Sequence, residues 1–124
     1  MTAAGADIKR VRREQQWPAC AVGAVPGQYG LFYYGAGQTQ IPFGEGLRCV
    51  SSGGAGIFRL GPPQIIDGAG DLSRPVDFTQ PPAGSGAGAI APGSTWYFQL
   101  WFRDPAGGAS GFNLSDGLSA TFCP

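Results

Sequence analysis

From residue 20 onward the apolar residues fall in short runs broken by glycine and proline, and no helical spacing is sustained. The longest run is Thr95–Arg103, and it alternates. One row holds Trp96, Phe98, Leu100 and Phe102, with no polar member; the other holds Tyr97, Gln99, Trp101 and Arg103, apolar stems with polar tips. Successive side chains of a strand point to opposite faces, so the two rows are separated. The all-apolar row is expected in the core. The second row is expected to face water, which would make Gln99→Ala nearly neutral for stability.

Further strands are predicted over 30–35, 38–43, 47–50, 57–60, 64–66, 73–78 and 118–122, where aromatic and β-branched residues concentrate between turn formers. Pro42 and Pro75 mark edges or strand ends. Residues 51–56, Ser-Ser-Gly-Gly-Ala-Gly, form a permissive hairpin loop, and Asp67-Gly68 is a turn signal. The 14-residue Pro/Gly/Ala/Ser stretch 80–93 is long for a compact domain and is expected on the surface. Short strands, frequent turns and no helix predict a single all-β domain: an Ig-like or jelly-roll-like antiparallel β-sandwich with long Gly/Pro-rich loops.

The first 24 residues differ. Met1 to Gln16 is polar and basic with no strong apolar periodicity, so 1–24 is expected to be a disordered leader before a module spanning 25–124. Its basic start runs into Glu14-Gln15-Gln16, not an apolar segment, and so is no complete signal peptide.

Composition narrows the chemistry. With 22 glycines and 11 prolines among 124 residues disorder has to be weighed, but 15 aromatic residues argue for a packed chain. Eight basic residues balance eight acidic ones. After residue 20 four scattered arginines face six carboxylates, which is no basic stripe for a phosphate backbone, so nucleic acid is not expected as a partner. The absence of histidine removes the Ser-His-Asp and Cys-His arrangements and histidine zinc sites. Three cysteines with no C-x-x-C pair cannot complete a four-thiolate metal site. No apolar stretch is long enough to span a membrane as a helix. No cofactor and no catalytic residues are expected, and the chain is not expected to be an enzyme, since no nucleophile–base pair can be named.

The segments GLFYYGAGQTQIPFGEGLRCV, IFRLGPP, DGAGDLSRPVDFTQPP and GSTWYFQLWFRDPAGGASGFNLSDGLSATFCP resemble, in that order and over about residues 25–124, a C-terminal module of uncharacterised exported proteins from environmental bacteria. The resemblance implies a β-sandwich appendage on a secreted or surface protein, hence an extracellular or cell-surface location, and brings no established activity with it. Residues 1–24 depart from the family pattern. An exported setting favours a Cys49–Cys123 disulfide, closing a loop of roughly 75 residues, over two buried free thiols. Cys20 is left as the odd cysteine.

Two further groups are candidates. Asp67 and Asp71, four apart in a glycine-bearing loop, offer oxygen ligands of the kind calcium takes, but they are too few alone, and turn-forming aspartates account for them. Tyr97, Gln99, Trp101 and Arg103 form an aromatic strip flanked by an amide and a guanidinium, a surface suited to sugar rings; ordinary cross-strand packing is the competing reading. The function expected is a non-catalytic structural or interaction module of an exported bacterial protein. The alternative is a carbohydrate-binding module using that aromatic face. The partner is then a polysaccharide or another extracellular protein.

Overall fold

The computed structural model describes residues 6–11 and 17–122. Ten strands run in chain order: β1 (Ala6–Val11), β2 (Trp17–Ala21), β3 (Tyr29–Gly35), β4 (Gly37–Phe43), β5 (Gly46–Ser51), β6 (Ile57–Ile65), β7 (Leu72–Val76), β8 (Thr95–Arg103), β9 (Phe112–Leu114) and β10 (Gly117–Phe122). No helix forms among the described residues, and the expected all-β sandwich is what the chain builds. Its layers are unequal. A six-stranded sheet runs β1-β10-β8-β3-β6, with β9 also paired to β8; β2–β7 and β4–β5 form separate two-stranded ribbons. The ladders are antiparallel except for β1 on β10.

The alternation in β8 decides which layer goes where. Trp96, Phe98, Leu100 and Phe102 are all buried, as their apolar row predicts. They share a face with Phe32 and Tyr34 of β3, Leu60 of β6, and Ala120 and Phe122 of β10. Tyr34 stacks on Phe98 at 5.1 Å between centroids and meets the Trp96 edge at 5.3 Å. The β2–β7 ribbon closes this core through Ala19, Ala21, Leu72 and Val76.

The stretch 1–24, expected to be a disordered leader, contains two strands among its described residues. Ala6–Val11 pairs with Gly117–Phe122, Trp17–Ala21 pairs with Leu72–Val76, and Ala19, Ala21 and Ala24 are buried. Alanines fit beneath bulky aromatic rings but carry too little hydrophobic signal to announce a strand on their own.

Three other expectations change. The stretch 51–56 is no hairpin loop, because β5 pairs with β4 and β6 with β3; it carries the chain from one layer to the other. The predicted strands 57–60 and 64–66 are one strand, β6, whose Pro62 and Pro63 are tolerated because β6 is a sheet edge. The connection 80–93 is partly core: Ala83 and Ile90 are buried, Ile90 N–H donates to Ala83 C=O at 2.8 Å, and Tyr34 Oη donates to Gly88 C=O at 2.7 Å. Gly88 allows this approach, since a Cβ there would stand 2.8 Å from Phe58 Cδ1 and 3.0 Å from the Tyr34 hydroxyl.

The second row of β8 departs most from expectation. Gln99 is 2% exposed, Tyr97 and Trp101 are half-buried, and only Arg103 at the strand end is exposed. The β4–β5 ribbon lies over this face and brings Val50 against Tyr33 and Leu114, with Ile57, Tyr97 and Trp101 at the margin. The expectation that Gln99 faces water is wrong because both faces of the sheet are covered, and the near-neutral loss expected with it no longer has a basis.

Truncating the main core tests the packing. Phe98→Ala is expected to lower the unfolding free energy by about 3–5 kcal/mol in urea or guanidinium titrations, the range for a buried phenylalanine. A loss below about 1 kcal/mol would contradict the burial of this row.

Candidate functional site

Between the β4–β5 ribbon and the outer face of the sheet lies a cleft of about 360 Å³ lined by Leu31, Tyr33, Phe43, Arg48, Ile57, Arg59 and Trp101. Register explains the grouping. Leu31 pairs with Trp101, Tyr33 pairs with both Gln99 and Arg59, and Gly35 pairs with Ile57, so these residues occupy one face across β6, β3 and β8. Phe43 and Arg48 come from the ribbon. The lining side chains are apolar apart from the Tyr33 hydroxyl, the Trp101 indole N–H and two guanidinium groups, and include no carboxylate.

One amide fixes the floor. Gln99 Oε1 accepts from Tyr33 Oη at 2.5 Å and from Cys49 N–H at 2.9 Å. Gln99 Nε2 donates to Leu47 C=O at 2.9 Å and to Ser115 C=O at 2.5 Å. Both acceptor positions and both donor hydrogens are used, which is what a buried primary amide requires. Ser115 lies where β8 passes from its β9 partner to its β10 partner. There its N–H donates to Leu100 C=O at 2.9 Å and its Oγ accepts from Leu100 N–H at 2.8 Å. The network thus ties the ribbon, β3 and the β9–β10 junction to β8.

The aromatic wall continues from Trp101 to Phe112, 5.7 Å between centroids, and from Phe112 to Phe43 at 5.1 Å. The Arg48 guanidinium carbon stands 5.9 Å from the Phe43 ring centre, within cation–π range. Arg48 Nε is buried and has no hydrogen-bond partner. Arg59 is exposed at the rim.

The sequence-predicted site residues are dispersed. Trp101 lines the cleft, Gln99 is spent in the network beneath it, Tyr97 packs at the margin, and Arg103 is exposed at the end of β8. The flat four-residue sugar platform is not formed. Asp67 acts as a turn: its Oδ1 accepts from the N–H groups of Ala69 and Asp71, each at 2.9 Å. Among the described residues no three Cys, Asp or Glu side chains gather as metal ligands.

The expected Cys49–Cys123 bridge is not made. Cys49 is a free thiol directed at Leu47 C=O, 3.8 Å away. Cys123 lies outside the described residues. Cys49 N–H is held by Gln99 in the middle of β8, whereas Phe122, the last described residue, bonds Ser94 just ahead of that strand.

Most other carboxylates serve local structure. Glu45 accepts from Ser110 N–H at 3.2 Å and Oγ at 2.5 Å, and these bonds hold its carboxyl below the ordinary range. The Asp77 carboxyl is lowered in the same way by Thr79. Asp104 accepts from Asn113 Nδ2 at 3.2 Å.

Sequence reasoning missed Leu31, Tyr33, Phe43, Arg48, Ile57 and Arg59 as a group. The signal for the two cations was faint: Leu47-Arg48-Cys49-Val50 and Ile57-Phe58-Arg59-Leu60 each set one arginine inside an apolar strand.

Comparison with family models, with curated proteins and with solved structures gives no match.

Burial raises the Tyr33 phenol above its ordinary value of 10.0 and raises Tyr34 likewise. The unfolded chain therefore releases these protons near pH 10 while the folded chain keeps them, so their contribution is complete below that pH and is lost as pH rises further. Unfolding free energy should fall above about pH 10, and Tyr33→Phe should flatten that fall while costing about 1 kcal/mol at neutral pH for the lost hydrogen bond. Identical alkaline profiles for the two proteins would refute the assignment.

Proposed function

We propose that this chain is a non-catalytic interaction module of an exported protein and that it works through the cleft between the β4–β5 ribbon and the sheet. The observation that carries this reading is an apolar recess holding two cationic groups and no protein carboxylate to neutralise them. Such a lining recognises a ligand but supplies no nucleophile or proton acceptor for a reaction. The carboxylates of Glu45, Asp67, Asp77 and Asp104 are engaged in hydrogen bonds with neighbouring backbone or side-chain groups, which favours structural roles for them. The exported, extracellular setting rests on the family resemblance alone. The sugar-binding alternative loses its platform once Gln99 is buried, and a polysaccharide partner would have to engage Trp101 inside the cleft rather than a flat strip.

Screening a library of small polar, apolar and charged fragments by amide chemical-shift mapping tests this reading. Binders should perturb residues 31, 33, 48, 57, 59 and 101 together, and Trp101→Ala should abolish those shifts while the protein stays folded. Hits clustered instead at the exposed Tyr29–Ile65 pair, or turnover of any fragment at a rate that Trp101→Ala lowers, would count against it.

A further inference from the structure

We infer that the cleft selects a small planar carboxylate, an aromatic acid, whose ring lies against Trp101, Leu31 and Ile57 and whose carboxylate lies between Arg48 and Arg59. This inference rests on the cleft being the working surface.

Three observations on the same residues lead to it. First, the charge is one-sided. Two guanidinium groups line the recess and no acidic side chain does, so an occupant with negative charge is complementary and a cation is excluded. Second, Arg48 is incompletely satisfied. Its Nε–H is buried without an acceptor, a state that costs free energy and leaves the guanidinium one hydrogen bond short. An arginine fork donates two parallel N–H groups to a carboxylate, so a guanidinium in the lining of the recess suits a bidentate acid partner. Third, the rest of the lining is apolar and largely aromatic: Trp101, Phe43 and Tyr33 with Leu31 and Ile57. Flat π-faces and a guanidinium already seated on Phe43 favour a planar body over a hydroxyl-rich one. A sugar acid would bring several hydroxyls against Leu31 and Ile57, where neither side chain can accept or donate a hydrogen bond. A volume of about 360 Å³ sits at the lower end of small-molecule sites, which suits one fused ring and its acid group and not an extended chain.

The two arginines divide the work. Arg48, half-buried and braced by Phe43, is the fixed half of the carboxylate clamp; Arg59, exposed at the rim on β6, is the adjustable half. Salt should weaken the Arg59 contribution more than that of Arg48, because exposed charges are screened and buried ones much less so.

Isothermal titration and shift mapping with 2-naphthoate, 2-naphthamide and galacturonate provide the test. The carboxylate is expected to bind in the cleft, the neutral amide of the same shape about tenfold more weakly, and galacturonate more weakly still. Arg48→Met keeps an apolar stem, removes the unpartnered N–H, and should weaken 2-naphthoate about tenfold while leaving the melting temperature unchanged or higher. Arg59→Met should weaken it less, and mainly at low salt. Equal affinity for naphthoate and naphthamide at the cleft would overturn the acid selectivity and leave the cleft standing as the interaction site. Tighter binding of galacturonate would overturn the aromatic class. No cleft perturbation by any of the three would overturn this inference, and if the fragment screen is also silent there, the interaction reading falls with it.

Discussion

A primary amide enclosed between two layers of β-structure has four hydrogen-bonding positions to fill, and any left empty costs about 1–3 kcal/mol. Gln99 fills them from three directions: Tyr33 of β3, Cys49 and Leu47 of β5, and Ser115 between β9 and β10. The apolar contact that accompanies it is small, centred on Tyr33, Val50 and Leu114, compared with the aromatic core on the other face. A layer with so little apolar area is placed mainly by its directional bonds. Shifting β5 by one residue would exchange the backbone groups facing Gln99 and leave its Oε1 without the Cys49 donor. The amide therefore sets the register of the β4–β5 ribbon on the sheet.

That placement produces the cleft. The ribbon is anchored at Leu47 and Cys49, while Arg48 between them points its side chain toward the recess and Phe43 supports its guanidinium. Trp101, two residues beyond Gln99 on the same face of β8, closes the floor and leans on Phe112. Rigid bonds beneath and aromatic contacts around the rim hold a cleft whose lining carries two arginines and no carboxylate. Charge held that way is costly without a partner and useful with one.

The main core was legible because its residue types leave little choice. Trp96, Phe98, Leu100 and Phe102 recur at alternate positions with no polar member, and period-two alternation reports a buried face directly. Three features were not legible, each for a physical reason. Ala19 and Ala21 bury little area, so β2 left almost no hydrophobic trace despite lying against the core. The stretch 80–93 is held by Ala83, Ile90 and the carbonyl of Gly88, contacts too sparse and too irregular to give a period. Gln99 looked solvated because a lone amide in a strand carries no mark of its partners, and three of its four bonds reach backbone groups whose side chains do not matter. The cleft inherits that difficulty: its seven lining residues come from five strands, and only the pairing of Leu31 with Trp101 and of Tyr33 with Gln99 and Arg59 brings them together.

The stability of Gln99→Ala tests the central claim most directly. Removing the amide leaves the Tyr33 hydroxyl, the Cys49 N–H and the carbonyls of Leu47 and Ser115 without their partner, so chemical denaturation should show a loss of about 3 kcal/mol or more. Hydrogen exchange at the Cys49 amide should accelerate in the same protein relative to the Phe98 amide in β8. A loss within about 1 kcal/mol of wild type, with Cys49 still protected, would contradict the account, since that is the behaviour of a solvated surface glutamine.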